Sequence, residues 1–153
     1  IWETIHGIGA TEVGVSLVEQ SDGSILVGGY RNSSGLSQGY FLKFDSSGRV
    51  VNDIVMSSTD NRIITGLTLS DDGSVYVAGE TSNSSGSTSG FILNTTDNGS
   101  VNWEKTVTST GSVSLTAIIY ADHGIVTAGY TETSSNGDDF LIQALNTSGE
   151  LVE

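Results

Sequence analysis

Short apolar segments alternate with polar, glycine-containing segments along the whole chain. Val15–Gln20 and Ile25–Tyr30 are two such segments, and the Ser-Asp-Gly at 21–23 between them has the composition of a hairpin turn. Runs of about four to eight residues with period-two alternation are typical of β-strands, whereas helices show a longer period over a longer window. No window of this chain combines a helical period with capping residues. The pattern therefore predicts an all-β fold.

The strand and turn pattern returns at one fixed spacing. The segment SDGSILVGGY at 21–30 comes back as DDGSVYVAGE at 71–80 and as ADHGIVTAGY at 121–130, so that equivalent residues stand fifty positions apart. Self-similarity at one period indicates that one supersecondary unit is used three times. We expect four strands in each unit. The predicted repeats lie at 8–56, 57–107 and 108–153, and a further strand lies at 1–6.

Small side chains recur at equivalent places in the second strand of each unit, at Gly28, Ala78 and Ala128. Four-stranded sheets arranged radially crowd at their common axis, which favours small residues there. A β-propeller fits this pattern, whereas a β-sandwich predicts no fifty-residue repeat and a parallel β-helix predicts a much shorter one. Three blades are fewer than the roughly four to eight of closed propellers. We therefore expect another copy, or a continuing chain, to supply the rest.

The segment Trp103-Glu104-Lys105-Thr106, followed by residues 122–131, resembles the repeat of secreted archaeal and bacterial β-propeller proteins. That repeat reads W-x-K-T and then D-G-G-x-x-V-A-G-x-T. The resemblance covers all three units and implies blades of a surface or binding module. The chain departs from the repeat at Asn52, where tryptophan is missing, and at His123, where glycine is expected. The pair Gly28-Gly29 carries a weaker likeness to kelch repeats.

Charge narrows the classes of partner. Eighteen acidic residues against five basic ones give a net charge of −13, which repels phosphate backbones and anionic lipid surfaces. We expect no nucleic acid partner and, because no apolar run approaches the roughly 20 residues that span a bilayer, no membrane insertion. The absence of cysteine excludes disulfides and thiolate metal sites. The first residue is Ile1, so we expect a mature or excised segment.

Candidate catalytic and metal-binding residues are few. His123 stands in a hairpin turn where sister units have glycine, and His6 ends a strand, so both are interpreted as exposed polar residues rather than general bases. The string Gly86–Gly90 places Thr88 where a nucleophile elbow has serine, and no helix follows it. We predict no catalytic site. Asp138 and Asp139 are weak candidates for calcium, since they offer carboxylate oxygens without the spacing of a calcium loop.

Five asparagines begin an N-x-S/T sequence without proline, the acceptor motif for N-linked glycans. A chain this rich in Asn, Ser and Thr also produces such triplets by chance. The polar, glycine-bearing segments at 31–39 and 81–90 predict long loops that hold Asn32 and Asn83, whereas Asn94 falls in a predicted strand. Four of the five thus fall in predicted loops or turns, as expected for glycosylated positions. The candidate acceptors are Asn32, Asn83, Asn94, Asn98 and Asn146.

Three classes of function are compatible with the sequence, in decreasing order of preference. The first is a non-catalytic structural module, extracellular or on the cell surface, whose partners are other copies of itself. The second is a glycan- or small-ligand-binding propeller with Tyr30, Tyr130 and Trp2 as stacking residues. A hydrolase with an axial site ranks last.

The first hypothesis predicts how copies assemble. The strand formed by Ile1, Trp2, Thr4 and His6 should complete the third blade of a neighbouring copy by β-strand addition. Trp2 is the expected anchor because its sister residue is Trp103. Such a contact gives a closed six-bladed ring of two chains or, where the rotation does not close, a filament.

Overall fold

The computed structural model describes residues 1–7, 9–133 and 137–152, and its regular structure there is entirely antiparallel β-sheet. This confirms the all-β prediction. The strands of the described residues are β1 (Thr11–Glu19), β2 (Ile25–Ser33), β3 (Leu36–Phe44), β4 (Val50–Met56), β5 (Asn61–Leu69), β6 (Val75–Ser82), β7 (Thr88–Thr95), β8 (Val101–Val107), β9 (Val113–Ala121), β10 (Gly124–Thr133) and β11 (Gly137–Asn146).

The strands form three separate sheets in which each strand pairs with the next one along the chain. The first sheet has the order β1-β2-β3-β4, the second β5-β6-β7-β8 and the third β11-β10-β9. We call these sheets blade 1, blade 2 and blade 3. Each is an antiparallel meander, the construction of a propeller blade, so the structure confirms propeller-type blades.

Two hairpins are tighter than the sequence predicted. The sequence predicts a loop at 31–39, but β2 and β3 continue to a two-residue turn at Ser34 and Gly35, whose φ angles are 55° and 81°. Positive φ at both central residues is the geometry of a type I′ turn, which matches the twist of paired strands. β6 and β7 likewise shorten the expected loop at 81–90 to residues 83–87. Ladder hydrogen bonds and cross-strand packing extend polar segments that carry little strand signal of their own.

The apolar core lies between the blades. Alternate residues of blade 2 face opposite neighbours, because successive side chains of a strand point to opposite faces of its sheet. Val77 and Phe91 pack toward blade 1, while Ala78 and Ile92 pack toward blade 3, and all four are fully buried. Blade 2 is therefore covered on both sides.

The first strands of consecutive blades lie next to one another and are joined by side-chain hydrogen bonds. The Leu67 amide of β5 donates to the Ser16 hydroxyl of β1 at 3.1 Å. The Thr65 hydroxyl of β5 donates to the Leu115 carbonyl of β9 at 2.6 Å. Gly28 of β2 faces Ile64 and Leu67 so closely that a Cβ would touch both side chains. The small residues thus lie where neighbouring blades approach each other.

Candidate assembly site

The segment 1–6 was predicted to be a β-strand, and in this structure it is not one. A strand is defined by ladder hydrogen bonds to a neighbour, and no strand of the described residues runs beside this segment. Ile1 and Ile5 are fully or almost fully exposed. The segment is held instead by side-chain contacts with blade 1.

Three of its side chains make those contacts. The Trp2 ring stacks on Phe44, with ring centroids 6.0 Å apart and an angle of 25° between the planes, and it also covers Gly48. The Thr4 hydroxyl donates to the Gly48 carbonyl at 2.6 Å. His6 Nε2 lies 3.1 Å from a carboxylate oxygen of Asp53 in β4. Trp2 nevertheless remains 45% exposed.

The same contacts recur between β8 and blade 3. Trp103 covers Gly149, and its indole N–H donates to the Thr147 carbonyl at 3.0 Å. The Lys105 ammonium donates to the Gly149 carbonyl at 3.1 Å, and this bond spans 44 positions, as does the bond from Thr4. β8 is the fourth strand of blade 2 and lies against the next blade. The segment 1–6 therefore occupies the place of a fourth strand from a blade that would precede blade 1.

The junction between blades 1 and 2 follows the same plan with different side chains. Ile54 of β4 packs on Gly99, the turn glycine that corresponds to Gly48 and Gly149. Asn52 stands at the ladder position that Trp103 has in blade 2, since the two pair with equivalent residues of β3 and β7. The missing tryptophan is thus compensated by an aliphatic contact two residues further along the strand.

The outer edge of β11 is the second half of the candidate site. Over residues 140–145 the pairing recorded at this edge lies at its end, where Leu151 forms a bridge with Leu145 and the Val152 amide donates to the Ala144 carbonyl at 3.0 Å. Phe140 and Ile142 of β11 are 78% and 61% exposed. Residues 151 and 152 mark the path of a fourth strand along blade 3.

The register of that missing strand follows from blade 2. In β7 and β8, Gly90 pairs with Val107 and Leu93 pairs with Glu104. One repeat further along, the same ladder positions in β11 belong to residues 140–143, and the corresponding positions of an added strand belong to residues 3–6. Segment 1–6 therefore has both the length and the register to pair with β11.

Sequence reasoning missed a polar cluster beneath segment 1–6. Tyr40, buried in β3, lines a cavity of about 180 Å³ together with His6 and Glu12. Burial, and next the nearby Asp53 carboxylate, raise the pKa of the Tyr40 hydroxyl. Arg31 Nε lies 3.8 Å from a Glu12 oxygen. These residues are scattered between positions 6 and 53, almost a whole repeat period, so no motif in the sequence marks them.

The five predicted glycan acceptors divide into two groups. Asn94 is only 6% exposed, its side-chain nitrogen donates to the Val75 carbonyl at 3.3 Å, and its oxygen accepts a hydrogen bond from Asn102 at 2.7 Å. The folded chain has no room for a glycan on that nitrogen. The other four are exposed or half-exposed, at the end of β2 or in hairpin turns: Asn32, Asn83, Asn98 and Asn146. Their occupancy stays a prediction.

The remaining candidates do not come together in the described structure. Asp138 and Asp139 lie exposed on β11, where Asp138 pairs across the ladder with Glu132. Over residues 1–7, 9–133 and 137–152, no three His, Asp or Glu side chains are grouped as a metal site. Calcium binding stays a prediction. His123 lies in the two-residue turn before β10 with φ of 62°, and its exposed ring is 3.7 Å from Asp71.

Comparison with known proteins agrees with the architecture. The sequence profile of a family described as a domain of unknown function (DUF5122) beta-propeller matches residues 20–50. That segment carries β2 and β3 of blade 1, and the match supports a β-propeller repeat. No curated protein matches the chain. The described residues contain no helix long and apolar enough to cross a membrane.

Proposed function

We propose that the chain is a non-catalytic extracellular structural module whose copies assemble by β-strand addition. Segment 1–6 of one copy becomes the fourth strand of blade 3 in the next copy. One observation carries this proposal: segment 1–6 lies on blade 1 through Trp2 and Thr4 as β8 lies on blade 3 through Trp103 and Lys105. This likeness supports the proposed role of the segment as the fourth strand of a preceding blade.

Pairing of segment 1–6 with β11 of another copy would supply backbone hydrogen bonds that the two elements do not make within one copy. An exposed edge strand presents a row of N–H and C=O groups that template pairing with another chain. Residues 3–6 would pair with residues 140–143, and the half-exposed Trp2 ring would be covered as blade 3 closes. Addition of a strand to a sheet edge is a common recognition mode in which the main chain provides affinity and side chains provide specificity.

The charge and the sequons of the surface support an extracellular location for the protein. The net charge of −13 disfavours nucleic acid and anionic membranes, and four exposed or half-exposed sequons are compatible with a glycoprotein. The resemblance to secreted propeller repeats points the same way. Copies joined in this manner form a closed ring or, where the rotation does not close, a filament or surface layer.

The test is the assembly mass of the chain and of two variants of segment 1–6, measured by sedimentation over a range of concentrations. Deletion of residues 1–6 and Thr4→Pro should both give monomers. The Val152 amide donates to the Ala144 carbonyl, so Ala144, and likewise Ile142 two residues before it, directs its backbone groups to the outer edge of β11. Thr4 corresponds to Lys105 and would pair with Ile142, so proline at this position removes a ladder N–H. The control Thr4→Val loses the same hydroxyl bond to Gly48 but keeps the N–H, and it should assemble like the parent. Assembly that survives the deletion would refute strand addition.

The glycoprotein part of the proposal is tested by intact mass of the protein from its natural host. We expect added mass that maps to Asn32, Asn83, Asn98 or Asn146, and none on Asn94, whose side chain is buried and hydrogen-bonded. A mass equal to that of the bare chain would remove glycosylation from the proposal.

A second candidate function, glycan binding, is favoured by one groove between blades 2 and 3. It has a volume of about 620 Å³ and is lined largely by serine and threonine hydroxyls, with Glu132 at its wall. Tyr130, 39% exposed, lines the adjoining cavity and offers a ring for stacking on a sugar. Trp2 fits this role less well because one of its faces stacks on Phe44. Glycan-array binding that is lost in Tyr130→Ala would support this function, and no binding would refute it.

A further inference from the structure

The outer face of blade 3, the face turned away from blade 2, is apolar and exposed. Three large side chains on it stand out: Ile119 of β9 is 56% exposed, and Phe140 and Ile142 of β11 are 78% and 61% exposed. Val126 and Ala128 of β10 lie between them, because Val126 pairs with Ile119 and Ala128 pairs with Ile142. A contiguous apolar patch of this kind is characteristic of an interaction surface.

The corresponding face of blade 2 is a buried interface. Ala78 and Ile92, which pair with each other across β6 and β7, are fully buried against blade 3. Ala128 and Ile142 form the equivalent pair in blade 3. Blade 3 thus presents outward the same kind of surface that blade 2 places against its neighbour.

Blade 1 carries the complementary surface. Blade 2 packs on a face of blade 3 that includes Ile118 and Ile125. By ladder position these residues correspond to Leu17 and Ile25 of blade 1, since Leu17 pairs with Val27 as Ile118 pairs with Thr127. Leu17 is 64% exposed. In the part of the chain that the structure describes, blade 3 therefore leaves a face of one kind uncovered and blade 1 leaves a face of the other kind uncovered.

We propose that the outer face of blade 3 binds the outer face of blade 1 of a second copy, in the arrangement that joins blades 2 and 3 within one chain. This inference rests on the proposed strand addition and names the surface that it brings into contact. Segment 1–6 is fixed to its own blade 1 through Phe44, Gly48 and Asp53. When the segment pairs with β11 of another copy, it carries that blade 1 onto Ile119 and Ile142.

The contact is head-to-tail, because two different surfaces meet and each copy has one of each. The two faces that meet are one blade step apart, so the rotation from one copy to the next equals three blade steps. Two copies then contribute six blades, within the roughly four to eight of closed propellers. The added apolar interface also explains how a strand of only a few residues holds two copies together.

The experiment places arginine separately on each face and measures assembly mass. Ile142→Arg on blade 3 and Leu17→Arg on blade 1 should each weaken self-association at least about tenfold, since each buries a charge in an apolar contact. Val101→Arg is the matched control: Val101 is an exposed β-strand valine, 47% exposed, on the edge strand of blade 2, and its variant should assemble like the parent. Circular dichroism and thermal unfolding of the monomeric variants verify that the blades remain folded.

Mixing the two face variants tests the head-to-tail direction. An equimolar mixture of Ile142→Arg and Leu17→Arg still contains one intact blade 3 face and one intact blade 1 face, so heterodimers should form although neither variant assembles alone. A symmetric contact between two blade 3 faces would be disrupted by Ile142→Arg and unaffected by Leu17→Arg, and that result would overturn the proposal.

The face contact and strand addition fail in distinguishable ways. If Ile142→Arg assembles like the parent while the deletion of residues 1–6 is monomeric, the face inference is wrong and strand addition stands. If the deletion assembles and Ile142→Arg does not, strand addition is wrong and copies associate through the faces alone. A parent chain that is monomeric throughout its soluble range overturns both.

Discussion

At the scale of single residues, the hairpin turns share one hydrogen-bonding device. An Asp or Asn side-chain oxygen accepts a hydrogen bond from the backbone N–H two residues further on, the Asx turn that these residues form readily. The distances from Ser24, Ser47 and Ser74 amides to their acceptors are all 2.9 Å. The acceptors are Asp22, Asp45 and Asp72 in three turns, and Asn83, Asn98 and Asn146 in three others. This shared need explains why Asp and Asn recur at these places in the repeat.

The three turn carboxylates make stability sensitive to acid. Hydrogen bonds from neighbouring serine hydroxyls hold the pKa values of Asp22, Asp45 and Asp72 below their ordinary value of 3.8. Because the pKa of each carboxyl is lower in the folded than in the unfolded state, its ionised form stabilises the fold. This contribution is complete above pH 3.8, the ordinary pKa, and is lost as the pH falls below that value. Asp45→Asn keeps a side-chain oxygen that can accept the turn hydrogen bond, as Asn98 and Asn146 do in their own turns. The free energy of unfolding of this variant should therefore fall less than that of the parent between about pH 5 and about pH 2.

The converse variant is the control for this pH dependence. Asn98→Asp places a carboxylate beside the Thr96 hydroxyl, which now donates to the Asn98 oxygen at 2.5 Å. It should increase the loss of stability in acid. Denaturant titrations at a series of pH values measure both variants, and parallel pH profiles for all three proteins would contradict the assigned role of the turn acids.

The glycines at fifty-residue spacing are required by close backbone approach. A Cβ at Gly79 would overlap the Ile63 carbonyl oxygen and the Phe91 ring, and at Gly29 it would overlap the Val13 carbonyl oxygen. Gly79→Ala should therefore lower the free energy of unfolding by about 1–3 kcal/mol. Gly7→Ala is the control, because a Cβ there makes only ordinary contact with Glu12 at 3.4 Å. Chemical denaturation decides, and equal stability of the two variants would contradict this reading.

At the scale of elements, β6 and β10 show how position in the array decides burial. They come from equivalent segments of the repeat, yet residues 75–79 of β6 are all buried while residues 125–129 of β10 alternate between buried and half-buried. β6 lies between two blades, whereas β10 is covered on one face. Backbone amides of β6 should accordingly exchange hydrogen most slowly, since core strands open only in global unfolding.

The matched pair Val77 and Val126 tests this difference. Val77 is fully buried, so Val77→Ala should cost about 2 kcal/mol from two lost methyl groups and the cavity they leave. Val126 lies half-buried on the outer face of blade 3, and Val126→Ala should cost less than about 1 kcal/mol in the monomer. The free energy of unfolding measures both, and a Val126 cost equal to that of Val77 would show that the outer face is already covered.

At the scale of the whole molecule, charge opposes the proposed assembly. Copies that each carry a net charge of −13 repel one another, while the proposed contact consists of ladder hydrogen bonds and apolar side chains. Salt shortens the screening length from about 30 Å at 0.01 M to about 8 Å at 0.15 M. Self-association should therefore strengthen as salt is raised over this range, as measured by sedimentation at fixed pH. Weakening by salt would indicate an interface built on ion pairs.

Local pattern was sufficient to predict the architecture of this protein. Period-two alternation, turn residues and fifty-residue self-similarity specify antiparallel meanders, because a strand and its hairpin partner are set by neighbours in sequence. Strand ends are predicted less well: the pattern predicts a loop at 31–39, whereas Asn32 lies within the last residues of β2. Pairing across the ladder, which no single segment contains, extends those strands.

The candidate assembly site was predicted in part. The sequence indicated a strand-like segment with Trp2 as its anchor, and the structure shows Trp2 on Phe44 but no strand at 1–6. Composition determined the acidic charge, and the local order of residues determined the turn chemistry and the sequons. Only the tertiary structure decided that Asn94 is buried, that Tyr40 and Glu12 line one cavity with His6, and that Ile142 is exposed while its counterpart Ile92 is buried. Equivalent residues of a repeat have the same local sequence, and their burial depends on which blades lie beside them.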